Sequence, residues 1–112
     1  MRLRDGLYIE DVGAVEVYHT NKGLRLPDET NVTVFVELTS NDSAISIKVP
    51  RPADSPGNFI SVFVLINSEE VDVLIDSGFL RADTDITLDE PGDFVLLWSD
   101  GLQWNVLNYN WS

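Results

Sequence analysis

NVTVFVELT, residues 31–39, decides the fold class. Val32, Val34, Val36 and Leu38 alternate with Thr33, Phe35, Glu37 and Thr39. A period of two puts each set on its own side of an extended chain, so this is a strand with one wholly apolar face. The same reading extends outward along the chain. Ile45, Ile47 and Val49 alternate with Ser46 and Lys48. Residues 59–66, FISVFVLI, are apolar on both faces except for Ser61, which predicts a central strand or one at an interface. Val71, Val73 and Ile75 flank Asp72 and Leu74, and FVLLW at 94–98 is again apolar on both sides. No segment carries a sustained helical repeat.

Turn chemistry separates these runs. Asn41-Asp42-Ser43, Asn67-Ser68-Glu69-Glu70 and Asp100-Gly101 each fit a tight connection. Asp100-Gly101 joins Val95–Ser99 to Gln103–Leu107 and is the best hairpin signal in the chain. Pro50 to Gly57, PRPADSPG, predicts a longer extended loop, because proline fixes φ and withholds a donor. About eight short strands with turns roughly every ten residues argue for a sandwich, jelly roll or small barrel. The expected fold is all-β, an antiparallel sandwich or jelly-roll-like domain over residues 31–112. Residues 1–30 are weaker: Leu7–Ile9 and Ala14–Tyr18 predict strands, Asn21–Thr30 predicts a loop, and the whole reads as an N-terminal arm or edge hairpin.

Size and charge bound what such a domain can do. A chain of 112 residues makes one domain with room for a single core. It hides only roughly 65% of its unfolded surface, so a partner covering exposed apolar strands would add to its stability. The net charge of −12 disfavours nucleic acid. That charge is uneven. Arg2, Arg4, Lys22 and Arg25 balance Asp5, Glu10, Asp11 and Glu16, so residues beyond 25 carry all of it. The ordinary reading is a solvated acidic surface; the sharper one docks the N-terminal region on a partner while the acidic remainder faces water. There is no cysteine, and the single His19 cannot assemble a histidine cluster. The start, MRLRDGLYIED, lacks the apolar core of a signal peptide, and Phe59–Ile66 is far too short to span a membrane. The expectation is a protein made in a cytoplasm, with neither membrane nor nucleic acid as partner.

Candidate chemistry is sparse. His19, beside Tyr18 and Thr20, reads as a surface or hydrogen-bonding residue rather than a general base. Glu69-Glu70 sits in a turn, where adjacent charges prefer solvent, and not across a cleft as a glycosidase pair must. Asp83, Asp85, Asp89 and Glu90 offer hard oxygen ligands for calcium, but the regular ligand ladder and glycine of an EF-hand are missing, so a solvated loop is preferred. Trp98, Trp104 and Trp111, with Tyr8, Tyr18 and Tyr109, suit either core and interface packing or a sugar platform. Trp98 and Trp104 fit the core of their hairpin, whereas Trp111 is harder to bury within one copy. Asn31-Val-Thr33, Asn41-Asp-Ser43 and Asn110-Trp-Ser112 match the glycosylation pattern but read as strand and turn composition. No catalytic residue, cofactor or small-molecule ligand is expected, and the chain does not read as an enzyme.

From Gly57 the order is an apolar strand (Phe59–Ile66), a Val-rich strand (Val71–Ile75), a turn from Leu88 to Gly92, and the strand Phe94–Trp98. A hairpin tip at Asp100-Gly101 and a return strand beginning at Trp104 complete it. Over residues 30–108 this resembles a β-module of tailed-bacteriophage structural proteins. The resemblance implies a virion protein of the kind found in trimeric fibres, head fibres and capsid decoration. The chain departs from the fibres in having no long repetitive shaft, which turns the expectation to a decoration or cement subunit. Such a subunit would form a homotrimer on the major capsid protein at the outer capsid surface. Contacts are expected at Arg2, Arg4 and Leu7, at Pro50, Arg51 and Pro52, and at Tyr109 and Trp111. The competing expectation is a tail or baseplate component, or a host-adsorption module that binds glycan.

Overall fold

The computed structural model describes residues 7–39, 42–67, 73–76 and 86–110. Its strands are β1 (Leu7–Val12), β2 (Val15–Thr20), β3 (Leu24–Arg25), β4 (Asn31–Leu38), β5 (Ile45–Lys48), β6 (Phe59–Asn67), β7 (Val73–Asp76), β8 (Ile86–Leu88), β9 (Phe94–Ser99) and β10 (Trp104–Asn110). The only helical element among the described residues is a 3-10 turn at Pro52–Asp54. The protein is all-β, as the alternation requires.

The strands form two sheets, a six-stranded one ordered β1-β2-β4-β6-β9-β10 and a four-stranded one ordered β3-β5-β7-β8. They are mixed, not antiparallel throughout as expected. β2, β4 and β6 run parallel in the larger sheet, and β3, β5 and β7 run parallel in the smaller. The chain alternates between sheets from β2 to β7, so each strand re-enters its own sheet only after a crossing and lies parallel to the last. Antiparallel pairing is confined to β1 on β2 and to the C-terminal strands, where β8 pairs β7, β9 pairs β6 and β10 pairs β9. The N-terminal hairpin therefore forms one edge of the large sheet. Leu24–Arg25, expected as loop, adds a two-residue strand beside β5. Gly23 permits that approach, since a Cβ there would meet the Ser46 carbonyl at 2.9 Å.

One core lies between the sheets. Val32, Val34, Val36 and Leu38 of β4 join Ile60, Val62 and Val64 of β6, Val95 and Leu97 of β9, Ile47 of β5, and Ile86 and Leu88 of β8. Tyr18 and Leu26 bring the N-terminal third into the same cluster. The coil repeats in the sequence as well as in space. Val34 pairs Val62, Phe35 pairs Phe63, and Asn31 accepts the Phe59 amide 28 residues further on. Ile45 pairs Val73 and Ile47 pairs Ile75 with the same separation. VTVFV and ISVFV are thus successive turns of one coil, stacked in register.

The Pro50–Gly57 loop is tied to the C-terminal hairpin. Trp104, fully buried, donates its indole N–H to the Pro50 carbonyl at 2.7 Å. Ser99 donates its hydroxyl to the Pro52 carbonyl at 2.8 Å, and the same oxygen accepts the Gly101 amide at 3.1 Å. The Gly57 amide reaches the Ser99 carbonyl at 2.8 Å, and the buried Ser55 hydroxyl accepts the Glu29 amide at 2.9 Å. Glu29, with φ of 56°, is held in the left-handed region beside that bond. At the hairpin tip Asp100 accepts the Leu102 and Gln103 amides at 2.8 Å each, and Gly101 turns the chain with φ of 90°. The connection between β9 and β10 thus spans Asp100–Gln103, longer than a two-residue turn.

Candidate interaction surface

The contacts expected from sequence are scattered. Arg2, Arg4 and Trp111 lie outside the described residues. Leu7 opens β1 at one edge of the six-stranded sheet, and Tyr109 lies on β10 at the opposite edge, 56% exposed. Five strand spacings separate those edges, about 24 Å. Pro50 and Pro52 are buried under the C-terminal hairpin, with their carbonyls engaged by Trp104 and Ser99. Arg51, between them, is exposed and pairs with Asp54 at 3.0 Å. The Asp54 hydrogen bond and charge raise the Arg51 pKa above its ordinary value. Asp83, Asp85 and Glu69-Glu70 also lie outside the described residues, and among the described residues no group of acidic or histidine side chains could hold a metal ion. The Asp89 carbonyl accepts the Asn67 side chain, and its amide bonds the buried Asp93 carboxylate at 3.2 Å, which shapes the turn at Pro91-Gly92.

What the fold does assemble is the outer face of the large sheet. Because the valines of β4 point inward, Thr33, Phe35 and Glu37 point out. The register carries this alternation across the neighbours. His19 lies beside Phe35, Phe35 beside Phe63, and Phe63 beside Phe94. Their rings form a continuous row, with centroids 5.1 Å apart for His19–Phe35 and 5.6 Å for each Phe–Phe contact. Such offset contacts contribute roughly 0.5–1.5 kcal/mol each beyond area burial. His19, expected as a surface or hydrogen-bonding residue, is largely buried in this row. A second row pairs Phe59, 43% exposed, with Trp98, and Trp98 with Asn105. Trp98 is therefore on the outer face and half-buried, while Trp104 enters the core. Strand parity separates them: Val95, Leu97 and Ser99 take the inward positions of β9.

Between the rows lie Val17, Thr33, Ser61 and Leu96. At the far end β6 bulges, leaving Leu65 47% and Ile66 44% exposed beside Glu37. Across β2, β4, β6 and β9 the outward positions hold one charged residue, Glu37, in a chain of net charge −12. The recurrence of Phe35 and Phe63 at one offset was the sequence signal for this surface. Strand-by-strand reading shows that both faces of β6 are apolar without showing that the aromatics line up.

No known protein family, curated protein or solved structure matches this chain.

Proposed function

We propose that this protein is a capsid decoration subunit of a tailed bacteriophage, non-enzymatic, assembling as a homotrimer on the outer surface of the head and reinforcing it. The observation that carries the reading is the outer face of the large sheet. It is aromatic and nearly uncharged, while the chain as a whole is strongly acidic. A face of that composition gains by being covered, and the acidic remainder keeps an assembled shell soluble. Decoration also suits weak individual contacts, since many copies on a lattice hold by avidity. The order of strands and the Asp-Gly hairpin ending in Trp104 supply the resemblance to virion modules. The partners in this reading are other copies of the chain and the major capsid protein, and the place is the virion surface.

The test is addition of purified protein to undecorated heads of the phage that encodes it, followed by electron microscopy. Added density at regular lattice positions is the expected result. Heads that stay bare at saturating protein would end the reading.

A second reading is host adsorption through glycan, favoured by Phe59 and Trp98 side by side on the outer face with Asn105 adjoining. Aromatic faces stack on sugars while amides meet their hydroxyls. Glycan binding lost in Trp98→Ala would support it, and an empty glycan array would remove it.

A further inference from the structure

We infer that the outer face of the six-stranded sheet, centred on the Phe35–Phe63–Phe94 row, is where copies of this chain pack on one another. This deepens the self-association in the proposed function and rests on that alone, not on its three-fold number or on the virion, since same-face contact joins copies two by two. The occupant is the same face of another copy. Three observations point there.

The first is where the large side chains went. Four of the five phenylalanines, Phe35, Phe59, Phe63 and Phe94, point outward, together with Trp98, while the inner face of the same strands is valine, leucine and isoleucine apart from Asn67 and Ser99 at strand ends. Aromatic rings offer the most apolar area per residue, so a domain that worked alone would turn them inward.

The second is area. The neutral part of the face, from β2 to β10, is five strands wide, about 24 Å, and about 20 Å along them, from strand spacing and rise. Two copies in contact would then bury about 1,000 Å² in all, the lower bound for a specific interface.

The third is charge. Copies at −12 each repel wherever acidic surfaces meet, and the described outward positions of β2, β4, β6 and β9 hold only Glu37, at one corner. The neutral region is thus the region two copies can share. A partner recognised by charge would instead use the acidic surface. A straight row of rings is also self-complementary under a two-fold rotation, as a face-to-face pair of identical subunits must be.

Sedimentation equilibrium from 1 to 100 µM tests this on the full chain, comparing wild type with Phe63→Glu, Leu65→Glu and Leu102→Glu. Leu65 is already 47% exposed in one copy, so its substitution spares the fold. Leu102, 80% exposed at the hairpin tip, controls for added charge alone. The expected result is an oligomeric wild type and Leu102→Glu, with assembly weakened about 100-fold or more by Phe63→Glu, at the centre of the face, and by a smaller factor by Leu65→Glu, at its end. Circular dichroism should show both variants folded. A monomeric wild type at 100 µM would overturn the inference, as would folded face variants that assemble like wild type, or a control that dissociates equally. An oligomer of the expected behaviour that never binds heads would leave this inference standing and remove the virion reading.

Discussion

The two faces of the six-stranded sheet are built from the same strands and differ in size of side chain, in burial and in regularity. The inner face is made of Val32, Val34, Val36, Ile60, Val62, Val95 and Leu97, each at or below 2% exposure. The outer face carries Phe35, Phe59, Phe63, Phe94, Leu96 and Trp98, all half-buried or exposed. Small branched side chains suit the narrow space between two sheets, where facing residues must interdigitate at crystal-like density. Large rings suit a surface waiting for a second surface. The difference teaches that alternation has two products here, a core on one side and, in the proposed assembly, a docking plane on the other.

The largest expected effect comes from breaking the inner side where it meets the proline loop. Trp104→Ala should cost about 3–5 kcal/mol, combining a large cavity with an orphaned Pro50 carbonyl. Trp104→Phe, which keeps most of the volume and loses the bond, should cost about 1–3 kcal/mol. Urea unfolding measures both, and equal losses would mean that the lost bond accounts for the whole cost and the cavity adds nothing. Next comes Leu97→Ala, with an expected loss of about 2–5 kcal/mol, in contrast to its outward neighbour Leu96. Leu96→Ala should cost less in dilute protein, and a reversed order would break the assignment of faces.

How much of this was legible in the sequence follows from the same contrast. Alternation in 31–39 showed which residues share a side, and β4 buries that set. Strand direction was not legible, because period-two patterning is the same for parallel and antiparallel neighbours. The crossings that make β2, β4 and β6 parallel are visible only through the 28-residue offset between VTVFV and ISVFV. Ile86–Leu88 is too short to stand out from the turn that follows it. The proline segment was legible as a loop, but neither its 3-10 turn at Pro52–Asp54 nor its burial was. Pro50 and Pro52 use their carbonyls, which every residue has, so side-chain chemistry gave no hint of Trp104 and Ser99 beneath them. Trp98 and Trp104 were read together as core, and the tip of four residues puts them on opposite faces.

Smaller effects sharpen the comparison. Ser99→Ala removes the hydroxyl that serves both the Pro52 carbonyl and the Gly101 amide, and should cost about 1–2 kcal/mol in thermal or urea unfolding. Asp100→Ala, at the exposed tip, should cost only about 0.5–1.5 kcal/mol although it releases two amides, because water replaces the lost acceptor. A greater loss at Asp100 than at Ser99 would contradict the view that burial sets the scale.

The central claim is that the inner face holds the fold and the outer face holds copies together. Urea midpoints at 1 and 100 µM, for wild type and Leu65→Glu, separate the two roles. If unfolding is coupled to dissociation, the wild-type midpoint must rise with protein concentration, while that of the variant rises less. A wild-type midpoint that is the same at both concentrations would contradict the claim.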